Sequence, residues 1–245
     1  MADTGRRMSL RFEELAWRQT PMGEISLRRR WDATVDADVY EVKLGDEFLM
    51  SSLFTVAEIE LARLGLAEVV GDDLEVVVGG LGLGYTARTV LEDPRVHELI
   101  VVDALDEVIS WHQRGLLPFA SAVVADPRSR LHHGDFFAMN ATGFDPQQPG
   151  RQFHAVLLDV DHSPSHLLHP SHAPFYTADG LRRLADHLHP GGVFGLWSND
   201  PPDDAFTAVM AEVFDGVRAQ VVTFANPLQR RTSTNTIYLG RRPSA

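Results

Sequence analysis

The stretch Leu74-Glu-Val-Val-Val-Gly-Gly-Leu-Gly-Leu-Gly-Tyr-Thr86 constrains this chain more than any other, because an apolar run of strand character passes straight into a glycine turn. A helix is predicted over Tyr85 to Glu92, followed by a second apolar run, Leu99-Ile-Val-Val, that ends at Asp103. Strand, glycine turn, helix, strand and acid outline a nucleotide site. The glycines let backbone N–H groups approach a ligand, and a carboxylate at the second strand's tip accepts two ribose hydroxyls. Spacing argues against a dinucleotide fingerprint, which after Gly80 and Gly82 needs a glycine where this chain has Tyr85. The glycines fall at 80, 82 and 84 instead. A nicotinamide-dependent oxidoreductase is therefore disfavoured, and Gly80, Gly82, Gly84 and Asp103 become candidates for binding a nucleoside.

From Leu74 onward, strands and helices alternate, which signals a mostly parallel sheet covered on both faces. Further strands are predicted at Ser129–His132, His154–Leu158, Val193–Ser198, Ala219–Ala225 and Thr236–Leu239. Helices are predicted at Asp106–Arg114, Thr177–His187 and Pro202–Phe214, with Asn140 to Gly150 as a surface loop. The first 50 or so residues alternate apolar and polar side chains with period two, as in Gly23-Glu-Ile-Ser-Leu-Arg and Asp38-Val-Tyr-Glu-Val-Lys-Leu. They read as a small antiparallel β cap over residues 1–54, ahead of an α/β catalytic domain over 55–245. Thr55 with Glu58 three residues on has the form of a capping box opening a helix to Leu66. Arg28-Arg29-Arg30 reads as a solvated strand edge.

Composition narrows the classes. A net charge of −12 disfavours a nucleic-acid partner. No apolar run approaches the ~20 residues of a membrane span. The start, Met1-Ala-Asp-Thr-Gly-Arg-Arg, lacks the apolar core of a secretion signal. With no cysteine, disulfides, thiolate nucleophiles and thiolate-bound zinc are all excluded. The expectation is a cytoplasmic protein acting on a small molecule.

In an open α/β sheet, ligands gather at the carboxyl ends of the strands. Asp103, Asp135, Asp159 with Asp161, and Ser198-Asn199-Asp200 all fall at such ends. Together with the glycine turn, they place acids at four strand ends around one rim.

Here the chain resembles a known group. From Leu74 to about Gly240 it is similar to the spermidine synthases (polyamine aminopropyltransferases), within the class I S-adenosylmethionine-dependent methyltransferase superfamily. Gly80-Leu-Gly-Leu-Gly-Tyr85 overlays that group's Gly-Gly-Gly-Asp-Gly-Gly, and Asp103 its ribose-binding acid. Gly134-Asp135 matches the Gly-Asp that receives the adenine amino group, and Asp159 matches the catalytic aspartate. Phe175-Tyr176 and Leu188-His-Pro-Gly-Gly192 match further landmarks. The resemblance implies a class I methyltransferase fold, a seven-stranded mostly parallel sheet with helices on both faces, plus an N-terminal antiparallel β cap. It also implies a transferase, and a homodimer is possible by analogy with the group.

The departures are as informative. Leu83 stands where the group has an aspartate that helps select decarboxylated S-adenosylmethionine. The region around Ala57 lacks the Tyr/His–Glu amine-binding segment, and His162-Ser-Pro replaces the Asp-Pro that contacts the diamine. Asn226-Pro227 stands in place of Tyr-Pro-Ser. The expectation favours methyl transfer from intact S-adenosylmethionine to a small acceptor such as an amine. The alternatives are aminopropyl transfer from the decarboxylated form and a non-catalytic nucleoside-binding module. Asp159 is the expected base or amine-orienting charge, with Asp161 and His162 as alternates. Leu83, Tyr176 and Trp197 are expected at the acceptor pocket. Four histidines at 162, 166, 169 and 172 lie in a proline-broken loop, read as a lid rather than a metal site.

Overall fold

The computed structural model describes residues 12–244. Residues 1–11, on which the leader expectation rests, lie outside that range. Four strands, β1 (Phe12–Thr20), β2 (Gly23–Asp32), β3 (Ala37–Leu44) and β4 (Glu47–Ser51), form an antiparallel sheet in sequential order. The sequence reading finds β2 to β4 but not β1, an edge strand whose burial does not alternate cleanly. Arg28-Arg29-Arg30 does not mark an edge, because β2 lies between β1 and β3. Two of these arginines pair with acids. Arg29 contacts Glu13 at 2.6 Å, and Arg30 contacts Glu41 at 2.7 Å and Asp32 at 2.5 Å.

The second sheet has seven strands in the order β10-β11-β9-β8-β5-β6-β7. These are β5 (Leu74–Gly79), β6 (Val96–Asp103), β7 (Ser129–His133), β8 (Phe153–Leu158), β9 (Leu188–Ser198), β10 (Asp215–Asn226) and β11 (Arg231–Arg241). Strands β5 to β9 run parallel, and β11 and β10 fold back antiparallel. Val76, Val77 and Val78 are all fully buried, which is why the central strand is a continuous apolar run rather than an alternating one. The three outer strands of the β9–β10 side are longer than their apolar cores suggest, because polar and glycine residues extend the ladder at each end.

Helices α1 (Val56–Ala67), α2 (Tyr85–Glu92), α3 (Asp106–Gln113) and α4 (Ala120–Val124), the short α5 (Phe136–Met139), α6 (Ala178–Asp186) and α7 (Asp204–Ala211) cover the sheet. A 3₁₀ segment spans Pro170–Tyr176. The last helix starts later than its Pro-Pro suggests, since Asp203 is the cap and accepts from Ala205 and Phe206 N–H. Two apolar clusters flank the sheet. One joins Ile25, Leu27 and Val42 of the small sheet to Leu61 of α1 and Val76 and Val78 of β5. The other holds Phe136, Phe175, Phe194 and Tyr238. The small sheet thus shares a core with the large one and sits over the carboxyl ends of its strands. No described helix is long and apolar enough to cross a membrane.

Candidate active site

The glycine turn after β5 is shaped by contact as well as by conformation. Gly80 has φ +93°, and a Cβ there would fall 2.0 Å from the main-chain oxygen of Asp159. The loop is therefore pressed onto the end of β8, an approach only glycine permits. At Gly82 (φ +46°) a Cβ would meet Met50 of β4 at 2.6 Å, so the small sheet closes directly over the loop. From below, His112 of α3 donates its Nε2–H to the carbonyl of Gly82 at 2.9 Å. Burial lowers the pKa of His112, against the pull of this bond.

Asp103 closes β6 and accepts from Leu81 N–H and Leu105 N–H, each at 2.8 Å. One bond falls on each oxygen, which fixes the carboxylate and leaves its remaining lone pairs for the cleft. Burial pushes its pKa up, against the pull of those backbone bonds. Asp135 caps α5 through Oδ1 alone, accepting from Phe137 and Ala138 N–H. Gly80, Gly82, Gly84, Asp103 and Asp135 all line one cleft of about 1090 Å³.

Asp159 lies at the sheet's centre, where that cleft turns from β5 toward β9. Thr86 Oγ1 donates to its Oδ2 at 3.0 Å and lies 3.3 Å from the main-chain oxygen of Glu58. Glu58 is the residue that sequence reasoning missed. Read as the third residue of a capping box, it instead points into the cleft, and Thr55 makes no side-chain cap bond. Burial raises the pKa of both carboxyls, and for Glu58 the charge of Asp159 raises it further. Two acids packed together this way hold a proton well above the ordinary carboxylate range, and they titrate as a pair.

Two expected site residues turn out to be structural. Asp161 is buried and does not line the cleft. It accepts from Leu168 N–H (2.7 Å), His172 Nδ1 (2.8 Å) and the Tyr176 hydroxyl (2.9 Å), so it is the internal brace of the histidine loop. A buried carboxylate needs several donors to offset lost hydration, and here the loop supplies them. Tyr176, expected in the acceptor pocket, is spent on that brace and packs among Phe137, Phe175 and Phe206. His162 does line the cleft, 3.9 Å from Glu47. Among the described residues the four loop histidines do not converge on a metal-capable group. His172 stacks on Phe137 at 3.8 Å instead.

The β9 side of the cleft has a different character. Leu83 and Trp197 line it as expected, together with Leu49, Phe54 and residues of the β10–β11 hairpin. Phe54 packs on Phe224 at 6.1 Å, and Asn235 donates to Asn199 at 3.0 Å. A trio of Glu75, His154 and His189 does gather at the opposite ends of β5, β8 and β9. There His154 Nδ1 accepts from Glu75 N–H at 3.0 Å. That bond puts the proton of the neutral ring on Nε2 and leaves no free lone pair for a metal.

No family model matches the chain. In sequence it is 27% identical over 218 residues to polyamine aminopropyltransferase 2 of Pseudomonas aeruginosa, covering 80% of this chain. The chain spans 58% of that relative's length. In structure it is similar to the spermidine synthase of Thermotoga maritima, with a TM-score of 0.70 at 17% identity, covering 95% of this chain and 74% of that one. A spermidine synthase in complex with the transition-state analogue AdoDATO matches equally well. A probable spermidine synthase of Corynebacterium glutamicum follows, with a TM-score of 0.64 at 18% identity, covering 92% and 79%. The fold is thus the class I methyltransferase-like α/β fold carrying a separate four-stranded sheet, as in spermidine synthases. By sequence and by structure the chain is similar to polyamine aminopropyltransferases. These likenesses do not support methyl transfer, the reading drawn from Leu83; they fit the aminopropyl alternative better.

Proposed function

We propose that the chain is a transferase that moves an aminopropyl group from decarboxylated S-adenosylmethionine to an amine. The observation that carries this reading is the position of the Glu58–Asp159 pair. It sits in the same cleft as the glycine turn, Asp103 and Asp135, between the half lined by those residues and the half lined by Leu49, Trp197 and the β10–β11 hairpin.

Asp103 would hold the ribose hydroxyls and Asp135 the adenine edge, with Gly80 to Gly84 allowing close backbone approach. An amine arriving as its ammonium is drawn to the acid pair, which accepts one proton and leaves the nitrogen neutral. The nitrogen lone pair then attacks the methylene carbon bonded to the sulfonium. A C–N bond forms as the C–S bond breaks, and sulfur keeps the electron pair and leaves as a neutral nucleoside thioether. The new ammonium loses its surplus proton to the pair or to water. Holding the two reactants in line accounts for much of the acceleration.

The test is incubation of the purified chain with an amine mixture and either decarboxylated or intact S-adenosylmethionine. Release of methylthioadenosine from the decarboxylated donor is the expected result. Release of S-adenosylhomocysteine from the intact donor would replace this reading with methyl transfer.

A further inference from the structure

The charges lining the cleft are distributed unevenly. Its acids are Glu41, Glu58, Asp103, Asp135 and Asp159. Asp103 and Asp135 lie at β6 and β7, on the nucleoside side, and Glu58 and Asp159 sit together at the centre. That leaves Glu41 alone on the acceptor side, and Arg30 Nε occupies it at 2.7 Å. The β10–β11 hairpin contributes Phe224, Asn226, Leu228, Arg231 and the run Thr232 to Asn235. Its only full charge is therefore a cation, Arg231. Glu47, beside His162, is 64% exposed and so is screened by solvent. Beside His162, Asn199 and the polar hairpin residues, the wall of this half is apolar: Leu49, Phe54, Trp197, Phe224 and Leu228.

Resting on the aminopropyl reading, we propose that the acceptor is a primary monoamine with an uncharged, largely apolar body, its nitrogen at Glu58 and Asp159 and its body against the hairpin wall. A diamine would bring a second ammonium to a surface that offers it no free carboxylate and one guanidinium. Desolvating a charge without a partner opposes binding, while apolar carbons gain from the same wall. The hairpin hydroxyls and the Asn199–Asn235 amides suit an uncharged polar substituent at most.

The experiment compares n-pentylamine with 1,5-diaminopentane, which differ only in the far ammonium. Each is titrated calorimetrically into the full chain saturated with methylthioadenosine. Binding of pentylamine at least 10-fold tighter is expected. Equal or tighter binding of the diamine, or no binding of either amine, overturns the proposal. Leu228→Glu, at a half-exposed loop position, puts a carboxylate on the wall and should tighten the diamine at least 5-fold more than the monoamine. No relative gain would mean the amine body does not lie there, and would equally overturn it. Thioether release from decarboxylated S-adenosylmethionine is followed separately with the same amines. A monoamine that binds selectively without releasing thioether would defeat the transfer reading while leaving the acceptor class standing.

Discussion

The two halves of the cleft are built by different means. The half proposed to take the nucleoside is built around main chain: a glycine turn, two strand-end carboxylates held by main-chain N–H groups, and a buried imidazole held on a loop carbonyl. The acceptor half is made of side chains from separate parts of the chain, from Leu49 and Glu58 to Trp197 and Asn235. Backbone sites depend on local conformation, which few sequences satisfy, so they stay legible. Side-chain sites depend on packing across long separations, and single substitutions can retune them.

Breaking the boundary between the halves should have the largest effect. Asp159→Asn removes the central charge and should lower turnover by about 10²-fold or more while the nucleoside still binds. Full turnover would leave Asp159 with only its bond to Thr86. Next comes Asp103→Ala, which strips the nucleoside half of its ribose acceptor and frees the Leu81 and Leu105 N–H groups. Affinity for methylthioadenosine should fall about 10–100-fold in a calorimetric titration, on the ~1.5–3 kcal/mol typical of hydrogen bonds to charged groups. Unchanged affinity would remove the assignment.

Glu58→Gln sharpens the comparison through pH. The folded pKa of Glu58 is raised above its ordinary value of 4.5, first by burial and then by Asp159. The folded state therefore keeps a proton that the unfolded chain has lost, and stability drains away as pH rises from the ordinary carboxylate range toward the raised value. The glutamine variant does not titrate. Its Tm should exceed that of the parent in that window, by about 2–4 °C per kcal/mol relieved, and match it near pH 4. A constant gap at all pH values would mean that Glu58 is not perturbed. The smallest effect is expected behind the wall, where Tyr176→Phe deletes one donor to Asp161. It should cost about 1 kcal/mol in denaturant unfolding and leave amine and nucleoside affinities as they were.

The sequence by itself determined the glycine turn with its strand-end acids and the large sheet. The 80, 82, 84 glycine spacing, Asp103 after an apolar run, and alternating strands and helices are local patterns whose meaning survives without neighbours. It did not reveal Glu58, because a glutamate three residues after a threonine looks like a helix cap until Asp159 is brought to face it. It ranked Asp159 ahead of Asp161 by resemblance alone, with no local feature to separate two acids two residues apart on one strand end. In extended chain both side chains share a face, but past the end of β8 the turn sends one into the cleft and the other into the brace of the histidine loop. Only the tertiary structure decided those questions, since a carboxylate's role is set by what surrounds it, and those surroundings come from residues distant in sequence.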